Sequence, residues 1–226
     1  MSNSKRGNSK RSQVREIYDR LMRAYGPQGW WPGETGVEVV VGAILTQNTA
    51  WTNVERAIQR LKAADVLDWS KLHALGEDEL AELIRPAGTF RVKAARLKGF
   101  VRRVCEEFNG SLDAMLDGNV EDARLRLLSI SGVGSETADA ILLYAGDKNT
   151  FVVDAYTKGI LRRHGLVDQE TDYETIRRMF LDALPRDVEV YNEYHALLVA
   201  VGKEHCRTHA ECDGCPLADM PHDETL

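Results

Sequence analysis

The sequence predicts an all-α fold, and three observations support this. Apolar residues recur at helical spacing through most of the chain. The connections between these segments are short and carry Gly or Pro, as at Pro86, Gly110, Gly132 and Pro185. The best strand candidate, Phe151-Val152-Val153, is too short to have partners. Helices therefore account for the core without a sheet.

The elements follow one another from the N-terminus. Residues 1 to 12 are rich in Ser, Lys and Arg and poor in apolar residues, which predicts a disordered basic arm. A first helix has its apolar spacing from Val14 and ends at Gly26-Pro27, before a loop with Trp30-Trp31-Pro32. The further helical segments are Val37 to Leu45, Asn53 to Ala64, Glu77 to Ile84, Val92 to Phe108, Glu121 to Leu128, Glu136 to Tyr144, Asp154 to His164, Tyr173 to Ala183 and Glu189 to Val201.

Length and composition limit the class of protein. A chain of 226 residues suits one domain or two small lobes. No stretch approaches the roughly 18 uncharged apolar residues of a membrane span, and the N-terminus is polar and basic rather than signal-like. We therefore expect a protein without a membrane partner, located in the cytoplasm.

The charge distribution leaves nucleic acid binding open. The net charge of -6 argues mildly against a phosphate-binding protein. However, the segment from Pro86 to Cys105 has basic residues and no acidic ones, so a local positive surface is available; a solvated helix face is the alternative. The basic residues are Arg91, Lys93, Arg96, Lys98, Arg102 and Arg103.

A turn with two glycines joins two of the predicted helices. Gly132 and Gly134 lack side chains, so the backbone can take positive φ and approach a surface closely. The amides of Gly132-Val133-Gly134-Ser135 and the positive end of the helix that starts near Ser135 suit a phosphate oxygen. Such a contact would not depend on base sequence.

An apolar segment after this turn delivers one carboxylate to a helix start. Phe151-Val152-Val153 precedes Asp154, and Asp is a common N-cap. A capping role and a chemical role are compatible here, because backbone donors hold a capping carboxylate in place and favour its ionised form.

Together these features resemble the endonuclease III, or HhH-GPD, superfamily of DNA glycosylases. The matching segments fall in family order: residues 43–49 (AILTQNT), residues 87–94 (AGTFRVKA), the hairpin at residues 128–138, Val153-Asp154 and the C-terminal cysteines. The resemblance implies two helical lobes: a six-helix barrel at 37–148 that contains the helix-hairpin-helix (about 122–146), and a lobe formed by 13–36 and 149–226.

The resemblance also implies a function. A monomeric, nucleoid-associated enzyme would bind damaged double-stranded DNA and flip out the target base. Asp154 would stabilise positive charge on the deoxyribose and orient or deprotonate water. Gln47 or Asn48 would fill the gap left by the flipped base, and Lys93 would contact DNA. A non-catalytic damage-recognition protein is the alternative from another class.

One departure from the family pattern indicates the reaction class. Glycosylases of this family that also nick the strand have a lysine two residues after the second glycine, and this chain has Glu136 there. A carboxylate cannot form a Schiff base, so we expect a monofunctional enzyme that uses water. Lys158, one turn past Asp154, is the nearby substitute for a lyase lysine.

The aromatic residues indicate the lesion. In the monofunctional 3-methyladenine branch, which this sequence most resembles, a Trp-Pro loop and an aromatic after the Gln-Asn-Thr segment sandwich the base. Trp30, Trp31, Pro32 and Trp51 match these positions, although core packing is the alternative for each tryptophan. Alkylated purines are cationic and favour stacking on indole. Oxidised pyrimidines and mismatched thymine or uracil remain alternatives.

The C-terminal cysteines predict a metal site. Cys206, Cys212 and Cys215 resemble the loop that holds a [4Fe-4S] cluster in this family, which has four cysteines. Pro221 stands near the expected fourth position, so the fourth ligand is unidentified. Zinc and an empty loop are the alternatives. The candidates for the fourth ligand are His205, His209, Asp219, His222 and solvent.

Overall fold

The computed structural model describes residues 2–30, 33–223 and 225, with side chains from residue 10 onward. These residues form twelve α-helices and one short 3-10 helix, and no β-strand occurs among them. The predicted all-α class is confirmed. None of these helices has both the length and the apolar character to span a membrane. The helices are α1 (Ser2–Tyr25), α2 (Gly36–Leu45), α3 (Trp51–Ala63), α4 (Trp69–Ala74), α5 (Glu77–Leu83), the 3-10 helix (Arg85–Ala87), α6 (Phe90–Phe108), α7 (Leu112–Leu116), α8 (Val120–Leu128), α9 (Ser135–Tyr144), α10 (Ala155–Arg163), α11 (Tyr173–Ala183) and α12 (Val188–Glu204).

The chain divides into two compact units, and the first contains both chain ends. It consists of Met1–Trp30 and Asn149–Leu226. Its core includes an aromatic cluster in which the ring of Phe151 stacks on Phe180 at a centroid distance of 3.8 Å. Residues 151–153 are extended and buried but pair with no strand. Their β-like composition is thus explained by burial on all sides.

Helix α1 continues back to Ser2, where the sequence predicts a disordered arm through residue 12. This segment contains no Pro to break a helix, although its Ser, Asn and Gly residues are poor helix formers. Val14 and Ile17 are fully buried on the same helix. Once these residues anchor the helix, extending it by further turns costs little, because nucleation is the unfavourable step.

The second unit is Trp31–Lys148. The boundary thus falls between residues 30 and 31, where the sequence predicts it near residue 36. Two short helices, α4 and α7, were not among the predicted segments. Asp68 caps α4 by accepting from the amides of Ser70 and Lys71, and Ser111 caps α7 by accepting from Ala114. Capping explains how helices too short for a periodic signal still form.

Candidate active site

Asp154 is the N-cap of α10, as the sequence predicts. Its Oδ1 accepts a hydrogen bond of 2.7 Å from the amide of Thr157. The side chain is 16% exposed. The preceding residues 151–153 are buried, which holds the backbone at Asp154 in place. The first turn of α10 fixes one oxygen of the carboxylate.

His195 of α12 faces the other oxygen of Asp154. Its Nε2 lies 3.8 Å from Asp154 Oδ2. Burial lowers the pKa of His195, and the opposing effect of the Asp154 charge is smaller. The imidazole is therefore neutral near pH 7. Sequence reasoning missed His195, because a histidine within a helical apolar pattern carries no local signal of its partner.

Trp30 lies beside His195. The two rings are 5.8 Å apart between centroids, and Trp30 is half-buried. Glu193 of α12 holds the loop before Trp30, since its carboxylate accepts from the amides of Gln28 and Gly29. Of the predicted base-contacting residues, Trp30 thus lies on the same unit as Asp154. Trp31 and Pro32 lie outside the described residues.

The two-glycine turn connects α8 and α9. Gly132 has a φ of +87°, in the left-handed region, whereas Gly134 is the extended N-cap of α9. A Cβ on Gly132 would come within 2.4 Å of the Arg96 side chain, and a Cβ on Gly134 would meet no atom within 4 Å. Because Gly134 has no side chain, it does not cap the first amides of α9. Val133 is buried, whereas Gly134 is exposed and Ser135 half-exposed, so the turn offers the surface that a phosphate needs.

A buried ion pair fixes the two helices of this hairpin. Arg124 of α8 binds Asp139 of α9, with distances of 3.0 Å from Nε to Oδ1 and 3.0 Å from Nη2 to Oδ2. The Asp139 side chain is fully buried. A pair with two parallel donors sets orientation as well as distance, so it holds the geometry of the turn.

Both ends of the Gln47 side-chain amide are hydrogen bonded, and its nitrogen binds the hairpin. Its Nε2 donates to Gly132 O and to Thr137 Oγ1, each at 3.0 Å. Arg96 Nη1 donates to its Oε1. The neighbouring Asn48 is exposed and has a φ of +52°. Gln47 therefore connects its loop to the turn. The side chain of Asn48 makes no such hydrogen bonds to the described part of the chain.

Lys93 is a buried structural residue of the second unit. It is 1% exposed, and its Nζ donates to Leu45 O (2.8 Å), Thr49 Oγ1 (2.6 Å) and Ala87 O (2.8 Å). An ammonium group enclosed in this way cannot reach a phosphate. The predicted DNA contact of Lys93 is therefore replaced by a structural role.

Other basic residues of the same segment also have internal partners. Lys98 Nζ donates to the carbonyls of Leu72, His73 and Leu75 near the end of α4. Arg103 pairs with Glu107 at 2.7 Å. Much of this basic segment thus satisfies backbone and side-chain acceptors and does not form a free positive surface.

Within the second unit, Trp51 is packed against its neighbours, whereas Glu136 is exposed. The Trp51 ring packs on Gly42 of α2, where an added Cβ would lie 3.3 Å from the indole. This placement favours the packing interpretation of Trp51. Glu136 is exposed in the first turn of α9. Lys158, on α10 of the first unit, has its Nζ 5.9 Å from the Tyr173 ring centre.

The cysteine loop follows α12. Among the described residues, no group of three or more His, Cys, Asp and Glu side chains has the arrangement of a metal site. The donor set also lacks the fourth thiol that the family pattern requires. Burial raises the pKa values of the Cys206 and Cys215 thiols. A cluster held by Cys206, Cys212 and Cys215 would therefore need a ligand other than cysteine at its fourth iron.

Protein groups hold this loop in place. The buried Arg163 of α10 donates to the carbonyls of Cys206 (3.0 Å), Arg207 (2.8 Å) and Thr208 (3.3 Å). Glu211 N donates to His205 O at 2.8 Å, and His205 Nδ1 lies 2.8 Å from Glu211 O. The loop thus has an internal frame independent of its thiols.

Comparison with known proteins identifies the family. Residues 41–186 match the HhH-GPD superfamily of base excision DNA repair proteins. A relative from Methanocaldococcus jannaschii, which carries the name of a DNA repair glycosylase, is 49% identical over 213 residues, covering 94% of this chain and 97% of its own.

Two solved structures are also similar. One is an H. pylori 3-methyladenine DNA glycosylase bound to 1,N6-ethenoadenine, at 26% identity and a TM-score of 0.72, covering 86% of this chain and 97% of its own. The other is endonuclease III in a non-covalent DNA complex, at 19% identity and a TM-score of 0.82, covering 95% and 96%. The second likeness concerns the fold alone. The chain belongs to the HhH-GPD superfamily of base excision DNA repair proteins, and it is a DNA glycosylase.

Proposed function

We propose that this glycosylase is monofunctional and removes a damaged base by hydrolysis, with Asp154 as its catalytic residue. The observation that carries the proposal is the state of this carboxylate: one oxygen is fixed by Thr157, and the other faces His195, whose ring lies beside Trp30. A residue that served only as a cap would not need a buried histidine facing its second oxygen.

The reaction breaks one bond and forms another at C1′ of the deoxyribose. The C1′–N bond breaks, and its electron pair leaves with the base. Asp154 stabilises the positive charge that develops on the sugar and accepts a proton from the attacking water. The water oxygen bonds to C1′, the cationic purine leaves as the neutral base, and Asp154 then releases the proton taken from water to solvent. The products are a free base and an abasic site.

The hairpin and the loop at residues 46–49 supply DNA binding. The Gly132–Ser135 turn, in which Gly134 is exposed at the N-terminus of α9, holds a phosphate through backbone amides without sequence preference. Asn48 fills the space of the flipped nucleotide, because it is exposed while the amide of Gln47 is committed to the hairpin. This assigns a single wedge residue where the sequence left two.

Strand cleavage is not part of the activity. Glu136 occupies the position of the lyase lysine and cannot form an imine with the sugar. Lys158 lies on α10 with its ammonium group near the Tyr173 ring, where a cation–π contact occupies it. Water therefore remains the nucleophile.

The proposed lesion class is alkylated purines. The half-buried Trp30 beside His195 offers an electron-rich face for a cationic base, whose weakened glycosidic bond also demands less of the enzyme. The H. pylori relative, which is 26% identical, is a 3-methyladenine glycosylase. Trp51 contributes less to this argument than the sequence predicted, because its ring packs on Gly42.

A substrate panel tests both parts of the proposal. Duplexes with methylated purine, 1,N6-ethenoadenine, thymine glycol, or uracil or thymine opposite guanine are incubated with the protein and split into samples with and without hot alkali. We expect breaks in the alkylated duplexes after alkali only. Breaks without alkali would contradict the monofunctional assignment. Excision confined to uracil, thymine or thymine glycol would contradict the lesion class, and no breaks in any sample would favour a non-catalytic binder.

The cysteines have a proposed structural role. Cys206, Cys212 and Cys215 are the thiols that an iron-sulfur cluster or zinc would take, and hydrolysis of a glycosidic bond transfers no electrons. A bound metal would thus support a loop that Arg163 already frames. Iron, sulfide and zinc analysis of the purified protein decides which occupant is present.

A further inference from the structure

The two oxygens of Asp154 have different surroundings. Oδ1 receives the amide of Thr157 at 2.7 Å, which fixes it to the first turn of α10. Oδ2 faces Nε2 of His195 at 3.8 Å. This distance is within ion-pair range and longer than a direct hydrogen bond. The cap holds one side of the carboxylate, and His195 is the polar group toward which the other side is turned.

His195 is enclosed by rings and is 5% exposed. Phe151 presents its edge to the imidazole, with centroids 6.4 Å apart and planes at 86°. Trp30 lies on another side at 5.8 Å. An aliphatic or phenyl side chain would pack in such surroundings without the cost of burying a polar ring. The position therefore calls for an explanation that packing alone does not give.

The charge state of His195 matters for the chemistry of Asp154. The charged group that acts on it from α10 is Asp154 itself, while Trp30 and Phe151 contribute neutral rings. On α12, the carboxylate of Glu193 is turned to the amides of Gln28 and Gly29. Burial dominates and lowers the pKa of His195 below its usual value of 6.5. A neutral ring leaves the charge of Asp154 available to the sugar, whereas an imidazolium would neutralise it.

We propose that His195 is a positioning residue that orients the Oδ2 side of Asp154 and leaves its negative charge uncompensated. This inference rests on the proposed role of Asp154 in hydrolysis. His195 acts through Asp154 and needs no contact with the substrate.

Three variants and one control test the inference. H195F keeps an aromatic ring in the cluster but removes the polar edge, and H195Q keeps a side-chain donor that does not titrate. D154N reports on the proposed function, and H73Q changes an exposed histidine on α4 of the other unit. Each protein is assayed for single-turnover excision between pH 5 and 8, for affinity toward abasic-site DNA and for melting temperature.

We expect H195F to excise about 100-fold more slowly at pH 7.5, as for a misplaced catalytic group, with wild-type DNA affinity and melting temperature. H195Q should recover most of the rate. The ratio of H195Q to wild-type rates should rise only as the pH falls well below 6.5, because burial lowers the pKa of His195 and only the wild type gains an imidazolium. H73Q should match wild type throughout.

Two results would overturn the inference. One is a wild-type rate in H195F. The other is equal loss in H195F and H195Q with an unchanged pH profile, which would indicate packing alone. If D154N is inactive while the His195 variants match wild type, the positioning role fails and the proposed function stands. If the wild type excises no substrate, both fail together.

Discussion

The division of roles between Gln47 and Asn48 gives a prediction in which stability and excision separate. Q47A removes two neutral hydrogen bonds, to Gly132 O and Thr137 Oγ1, and one from the charged Arg96. With about 1 kcal/mol for each neutral bond and about 2 kcal/mol for the charged one, we expect a loss of about 4 kcal/mol in the free energy of unfolding.

N48G should leave stability almost unchanged and slow excision. Asn48 has a φ of +52°, which glycine adopts without steric cost, so the free energy of unfolding should change by less than about 1 kcal/mol. The substitution removes the exposed side-chain amide of Asn48, which would otherwise fill the space left by the flipped base. We expect single-turnover excision to fall about tenfold or more, which corresponds to about 1.4 kcal/mol or more.

Urea unfolding and single-turnover excision on the same duplex measure both quantities. The excision assay is run well below the unfolding midpoint of Q47A, so that only folded protein is compared. Wild-type excision by N48G, together with lost excision and full stability in Q47A, would refute the assignment and make Gln47 the wedge.

Three further predictions concern packing and hydrogen bonds within each unit. K93M should lower the free energy of unfolding by about 3 kcal/mol or more, because three buried acceptors lose their donor; urea unfolding checks this, with the exposed K71M as control, and equal stability of the two variants would contradict it. G202A places a Cβ 2.5 Å from the Tyr156 ring and should cost about 1 to 3 kcal/mol; a melting temperature equal to wild type would show that Tyr156 moves freely. Prolonged treatment with a metal chelator should leave melting temperature and excision unchanged, because Arg163 frames the cysteine loop; loss of either would show that a metal holds it.

The sequence predicted the features of the site that depend on local geometry. Gly132 requires a left-handed φ, and Asp154 caps a helix after a buried segment. Both follow from residue types and their immediate neighbours. The overall helical content was predictable for the same reason, since apolar spacing reports directly on helices.

The remaining features depend on contacts between residues far apart in the chain. His195 meets Asp154 across 41 positions, and Lys93 reaches the carbonyl of Leu45 across 48. A buried lysine and an exposed one have the same local pattern, so the enclosed position of Lys93 had no sequence signal. Trp51 was assigned to a base pocket by resemblance, whereas Gly42 leaves a space on α2 in which its ring packs.

The role of Asp154 is tested most directly by D154N. Asparagine keeps an oxygen for the amide of Thr157, so the cap and the fold should persist, and D154A serves as the comparison that loses about 1 kcal/mol of capping. Single-turnover excision and binding to an abasic duplex are measured for each. We predict that D154N binds the duplex like wild type and releases no base. Release of base by D154N at the wild-type rate would contradict the account.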